Sequence, residues 1–281
     1  MATAVVACQR WGLRTRYIGK IGDDYTGRVQ RAELSREGVE AHFIEVSGCA
    51  SQQAFILLDA STGERTILWQ RDARLDPRPR EVRKEWITHA RLLHVDGHPT
   101  EPAATAARWA RRAGVIVTAD IDNIYDGIEA LLESVDYLIG SRDFPRRLTG
   151  IESLTEALPA IRAKYKCRVV GVTLGHNGAL LWDGEAFHYS PAFRVTTVDT
   201  TGAGDIFHAG FSYGLLQNWP LDRVLTFSCA AAALNCTAMG ARGGIKPVSE
   251  IEALMRKGAR YPAAFRAGRI ANARIAKRTG I

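Results

Sequence analysis

The run Asp199-Thr200-Thr201-Gly202-Ala203-Gly204-Asp205 gathers at one turn the residue types that handle an anion and a proton. Residues 193–198, just before it, are rich in β-branched side chains and read as extended, and the apolar pattern from Ile206 and Phe207 through Phe211 reads as helix. Small residues between a strand and a helix let successive backbone N–H groups converge on one point, where the helix dipole adds positive potential. Such a nest calls for an anion. Asp205 stands at its mouth and could simply cap the helix. With a second Asp and two Thr ahead of the turn, the better reading is a general base that takes a proton from a hydroxyl held beside the anion.

This seven-residue run resembles the C-terminal signature of the ribokinase-like (PfkB) carbohydrate kinases, which move the γ-phosphoryl group of ATP onto a sugar or nucleoside hydroxyl. The resemblance implies an anion hole formed by Gly202, Ala203 and Gly204, with Asp205 as catalytic base. It implies that Asp199 and Thr201 help hold a monovalent cation such as K+. It also implies an α/β three-layer sandwich with a central, mostly parallel sheet and a small β lid, working on ATP, Mg2+ and a sugar.

The remaining elements must position that turn. The first twelve residues read as an Ala-rich helix stopped by Gly12, residues 15–21 as a strand, and residues 27–38 as an amphipathic helix burying Val29, Ala32 and Leu34. Gly19, Gly22, Asp23, Asp24 and Gly27 resemble the family's GxxGDDxxG phrase, with the two Asp serving turn chemistry. Family members carry a strand with a substrate-binding Asp, lid strands and a Gly-Gly pair ahead of the helix that here starts at Met1. A helix opening the chain would then have no strand to pack on, and the expectation is a start assigned to an internal Met, or a natural fragment with an incomplete lid. Alternation over 54–58 and 66–69 around the Asp59–Glu64 turn reads as the lid hairpin, about residues 46–73. Gln52, Gln53 and Arg71 at its ends could meet a hydroxylated ligand or be plain surface polarity.

From residue 91 onward the pattern is doubly wound, with strands over 92–95, 115–121 and 137–140 alternating with helices over 103–113 and 124–133. Asp96 and Asp120 end strands, where open sheets bind ligands, though Asp there is also a common helix cap; His94 and His98 read as structural. Aligning on Leu148-Thr149-Gly150 puts Ser141 at the family's Asn beside the phosphates. Phe144 then stands at the Glu that organises Mg2+ waters, as in ketohexokinase-like members that carry Ser. Helix 154–164 and strand 169–174 follow, and Thr173 and Gly175 are the implied ATP contacts. After the signature come helices over 206–217, 221–238 and 249–256. Residues 229–233 are small enough for close packing or for a flat adenine, with Asn235 on the adenine side.

The chain has 281 residues, 46% of them hydrophobic, enough for one sizeable core over residues 1–257. No apolar run of about 18 residues is present, so membrane association is not expected and a cytoplasmic protein is. Five Cys share no metal-type spacing and read as reduced core thiols. The formal charge is +7, yet residues 255–281 hold eight basic groups and no acid. The rest of the chain is near neutral, and the basic tail, residues 258–281, reads as a solvated appendage rather than a nucleic-acid site.

The expected function is therefore an ATP-dependent carbohydrate kinase, with Ser141 and the Asp96-Gly97-His98 phrase leaning to ketose-type sugars and Gln52, Arg71 and Asp96 as sugar contacts. The alternative is a truncated, non-catalytic homologue that keeps the fold. A homodimer through the lids is left open.

Overall fold

The computed structural model describes residues 1–58, 65–265 and 268–269. The helices are α1 (Ala2–Arg10), α2 (Tyr25–Arg36), α3 (Lys84–Thr88), α4 (Thr100–Arg112), α5 (Ile128–Leu132), α6 (Phe144–Thr149), α7 (Leu154–Tyr165), α8 (Ala203–Leu216), α9 (Leu221–Asn235) and α10 (Val248–Lys257). The strands are β1 (Arg16–Gly22), β2 (Glu40–Val46), β3 (Gln53–Leu58), β4 (Arg65–Gln70), β5 (Leu92–Asp96), β6 (Ile116–Ile121), β7 (Tyr137–Gly140), β8 (Val169–Thr173), β9 (Ala179–Trp182), β10 (Ala186–Ser190) and β11 (Gly268–Arg269). The Asp59–Glu64 turn and most of the basic tail lie outside the described residues.

The main sheet runs β11-β10-β9-β8-β7-β6-β5. β5 to β8 are parallel, and β9, β10 and β11 continue antiparallel. Successive side chains of a strand point to opposite faces, so one apolar run feeds two cores. Leu138 and Val170 join α4, α5 and α7 on one face. Their neighbours Ile139 and Val169 join α1, α8, α9 and α10 on the other. The result is a helix–sheet–helix sandwich, and the four parallel strands bring the chain ends after Asp96, Ile121, Gly140 and Thr173 to one edge.

Several expectations are corrected. α1 has a partner: Ala4, Ala7, Cys8 and Trp11 pack with residues of α8 and α9, and the Cys8 thiol donates to the Ala209 carbonyl at 3.6 Å. β1 pairs in parallel with β2, which the sequence reading missed, and these two strands form a sheet of their own. α2 buries Leu34, but Val29 is 39% exposed and Ala32 is exposed as well, because a two-strand sheet covers too little of the helix to bury a full stripe. Residues 193–198 form no strand beyond an isolated bridge from Phe193 to Arg260. α8 begins at Ala203, so the putative nest residues already belong to its first turn. Asp23 and Asp24 do serve turns: Asp24 Oδ1 accepts from Gly27 N at 2.8 Å and from Ser51 Oγ at 2.6 Å, while Asp23 accepts from Gly48 N. All five cysteines are buried free thiols.

His188 ties β10 to α9, with Nε2 2.8 Å from Asp183 Oδ2 and Nδ1 2.7 Å from Asp222 Oδ1. Burial opposes its charge, but the two carboxylates outweigh burial and raise its pKa above the ordinary 6.5. The sign follows from linkage: the folded state binds this proton more tightly, so the stabilisation is complete below pH 6.5 and is lost as pH rises through the folded value. Denaturant unfolding of the native chain should therefore weaken from pH 6 to pH 8, and His188→Gln should flatten that part of the profile. An unchanged slope in the variant would rule this out.

Candidate active site

The turn entering α8 is braced before it reaches Asp205. Asp199 Oδ1 accepts from Thr201 N and Oδ2 from Gly240 N, both at 2.8 Å. Asn235, fully buried, donates from Nδ2 to the carbonyls of Thr201 (3.3 Å) and Ala241 (3.1 Å), and its Oδ1 has no hydrogen-bond partner. Both oxygens of Asp199 and the amide of Asn235 thus hold two loops together. Gly202 adopts φ +77°, where a Cβ would sit 2.6 Å from the Ala241 oxygen, so both conformation and close packing demand glycine.

Ala203 N donates to Thr200 O at 3.2 Å, and the regular ladder starts with Ile206 N to Gly202 O at 2.9 Å. Gly204 and Asp205 lie in the first turn, where a helix leaves its N–H groups without intrahelical acceptors. A Cβ on Gly204 would meet nothing within 4 Å. Open space over a helix N-terminus suits a phosphate group.

The Asp205 side chain is 30% exposed, and its Oδ1 lies 2.5 Å from the Met1 amine. Burial works against that ammonium, and the Asp205 carboxylate more than restores it, raising its pKa. Met1 also lines a cavity of about 220 Å³ with Asp96, Gly97, His98, Asp120, Asp122 and Tyr125. The fold thereby brings Asp96, over a hundred residues away in sequence, to the same cleft as Asp205. Solvent reaches Asp96, but the concave walls shield it enough to push its carboxyl up. Beyond His98 and Tyr125 opens a second cavity of about 450 Å³, lined among others by Asp76, Arg78 and Glu101.

The other sequence candidates divide. Arg71, at the end of the lid hairpin, contacts both Asp76 and His98 Nδ1, which brings it to the cleft wall. Gln52 is exposed, lines neither cavity, and its carbonyl accepts from Gln30 Nε2 at 3.1 Å. Ser141 follows β7 at the ligand edge, its Oγ donating to the Asp122 carbonyl at 3.3 Å. Thr173 ends β8, and Gly175 sits exposed at φ +59° just after it, on the same edge. Phe144 is 1% exposed within the core. Sequence reasoning set aside His98, which the cleft includes, and left Asp120 undecided. It passed over His208, although the i, i+3 spacing from Asp205 along one helix face could have pointed to it.

A model of the "pfkB family carbohydrate kinase" matches residues 2–247. The chain belongs to that family. It is 28% identical over 278 residues to the 5-dehydro-2-deoxygluconokinase of Geobacillus kaustophilus, spanning 89% of this chain and 82% of the relative. It is 30% identical to the ATP-dependent ribose-1-phosphate kinase of Halopiger xanaduensis, over 80% of this chain and 75% of the relative. Among solved structures, the ribokinase from Thermotoga maritima superposes with a TM-score of 0.78 at 26% identity, covering 91% of this chain and 86% of that one. The expected ribokinase-like α/β fold is borne out, and this pfkB family chain is a sugar kinase, a phosphotransferase with an alcohol acceptor. Among the described residues no helix is long and apolar enough to cross a membrane.

Proposed function

We propose that this pfkB kinase phosphorylates a sugar hydroxyl at the cleft between Asp205 and Asp96. The observation that carries the reading is the open first turn of α8 beside a carboxylate that borders a concave, polar cavity. The N–H groups of Gly204 and Asp205, with Gly202 and Ala203 shaping the turn, stabilise the charge of the transferring phosphoryl group. Asp205 takes the proton of the acceptor hydroxyl as that oxygen bonds to phosphorus. Asp96 and Arg71 hold the sugar, Gln52 closing over it from the lid. Ser141, Thr173 and Gly175 line the nucleotide edge, while Asn235 supports the nest from below.

ATP fits the residues present, since the helix N-terminus is open and a tight turn holds it. A metal supplies charge neutralisation of the phosphates when bound. The buried Phe144 offers no carboxylate to it, and no step here is routed through it. A monovalent cation near Asp199 and Thr201 is supported by the unpartnered Oδ1 of Asn235 close to the same loop. A homodimer is supported by the lid hairpin, where Phe55 (68%), Leu57 (59%) and Trp69 (65%) are exposed.

The test is ADP release from ATP and Mg2+ with D-fructose, D-ribose or 5-dehydro-2-deoxygluconate. At least one sugar should raise ADP release at least tenfold over the sugar-free rate. No stimulation by any of them would favour the second reading, a nucleotide-binding homologue without turnover, which Phe144 supports.

A further inference from the structure

His208 is buried, 4% exposed, on the helix that carries Asp205 and one turn further along it. Its Nε2 lies 3.2 Å from Asp120 Oδ1, and Asp120 keeps 34% of its side chain exposed toward the cavity it lines. Behind His208 the His94 ring stacks at 5.4 Å, and His94 Nδ1 lies 2.9 Å from Thr118 Oγ1. Burial holds the His94 pKa down to about 3, so this ring is neutral and leaves His208 to face Asp120. For Asp120 itself, burial pushes the carboxyl up, but the charge and hydrogen bond of His208 prevail and set it at about 2. A buried charge costs free energy unless paired, so this pair is maintained for something on its open side.

What lies on that side follows from strand register. Asp96 and Asp120 are direct partners across the parallel β5–β6 ladder. Residues so paired stand roughly 4.8 Å apart on one face. One carboxyl is raised and the other depressed, so one side can donate a proton while the other accepts, as two neighbouring hydroxyls of a polyol require.

Resting on the kinase reading, we propose that Asp120 binds the acceptor sugar beside Asp96, gripping the second of two adjacent hydroxyls, and that His208 is the positioning residue that fixes its carboxylate from the Asp205 helix. The acceptor class is accordingly a vicinal diol, and the helix bearing the base also sets the geometry of sugar binding.

The experiment is calorimetric binding of D-fructose, D-ribose and 5-dehydro-2-deoxygluconate to the full chain, with thermal unfolding of each variant alongside. Asp120→Asn, which keeps the shape, and His208→Leu should each weaken the bound sugar about tenfold or more while ATP affinity stays unchanged. His208→Gln retains a donor near Nε2 and should restore affinity to within about threefold of the native chain. The double variant Asp120→Asn/His208→Leu should bind no more weakly than the worse single one, since the two act through one contact. Native sugar affinity in folded Asp120→Asn and His208→Leu overturns the proposal. So does failure of the native chain to bind any of the three, or loss in His208→Gln equal to that in His208→Leu. Asp205→Asn separates the two readings: if it turns over normally the kinase assignment fails, while the sugar affinities still judge Asp120 and His208.

Discussion

Asp205→Asn should lower turnover by roughly 10² to 10⁴-fold, the range that a positioned general base supplies, while ATP affinity stays at the native level. The amide keeps the size of the carboxylate and cannot take the hydroxyl proton. The nest is built from backbone N–H groups that the change leaves in place, so nucleotide binding should persist. ADP release under saturating sugar measures the first part, and calorimetric titration with ATP the second. Native turnover in the variant would remove Asp205 from the chemistry. Loss of ATP affinity in equal measure would mean that the residue shapes the turn instead, as a helix cap does.

The second large effect separates shape from space at the same turn. Gly202→Ala places a methyl group at φ +77°, 2.6 Å from the Ala241 oxygen. The left-handed backbone alone costs a non-glycine residue about 1–2 kcal/mol, and the contact adds to it. The variant should melt lower and lose turnover together. Gly204→Ala should behave oppositely on stability, because its Cβ meets nothing within 4 Å and alanine is favoured over glycine in a helix by up to about 1 kcal/mol. It should fold as well as the native chain or better. Its methyl group nevertheless fills the space over the first-turn N–H groups, and turnover should fall about 10²-fold, comparable to losing one donor to the transition state. Native turnover in a stable Gly204→Ala chain would show that the phosphoryl group does not sit there.

Residues in local patterns were legible early. The small-residue turn, the helix after it and the doubly wound strands from residue 92 to residue 173 announce themselves through spacing a few residues long. The strand ends at Asp96 and Gly140 follow, since parallel order implies a shared ligand edge. The errors share a cause. Val29 and Ala32 have the right period to be buried, yet only β1 and β2 lie beneath α2, and the extent of a sheet is not written in one helix. Residues 193–198 have strand composition without a neighbouring strand to pair with.

The sequence by itself determined the chemistry at one place, an anion turn ending in a carboxylate, because that motif is contiguous and its hydrogen bonds are local. Only the tertiary structure decided what faces it. Asp96, Asp120, His98 and His208 meet Asp205 through strand register and helix rotation, and a histidine whose partner lies 88 positions away looks like any core residue until the sheet closes against α8.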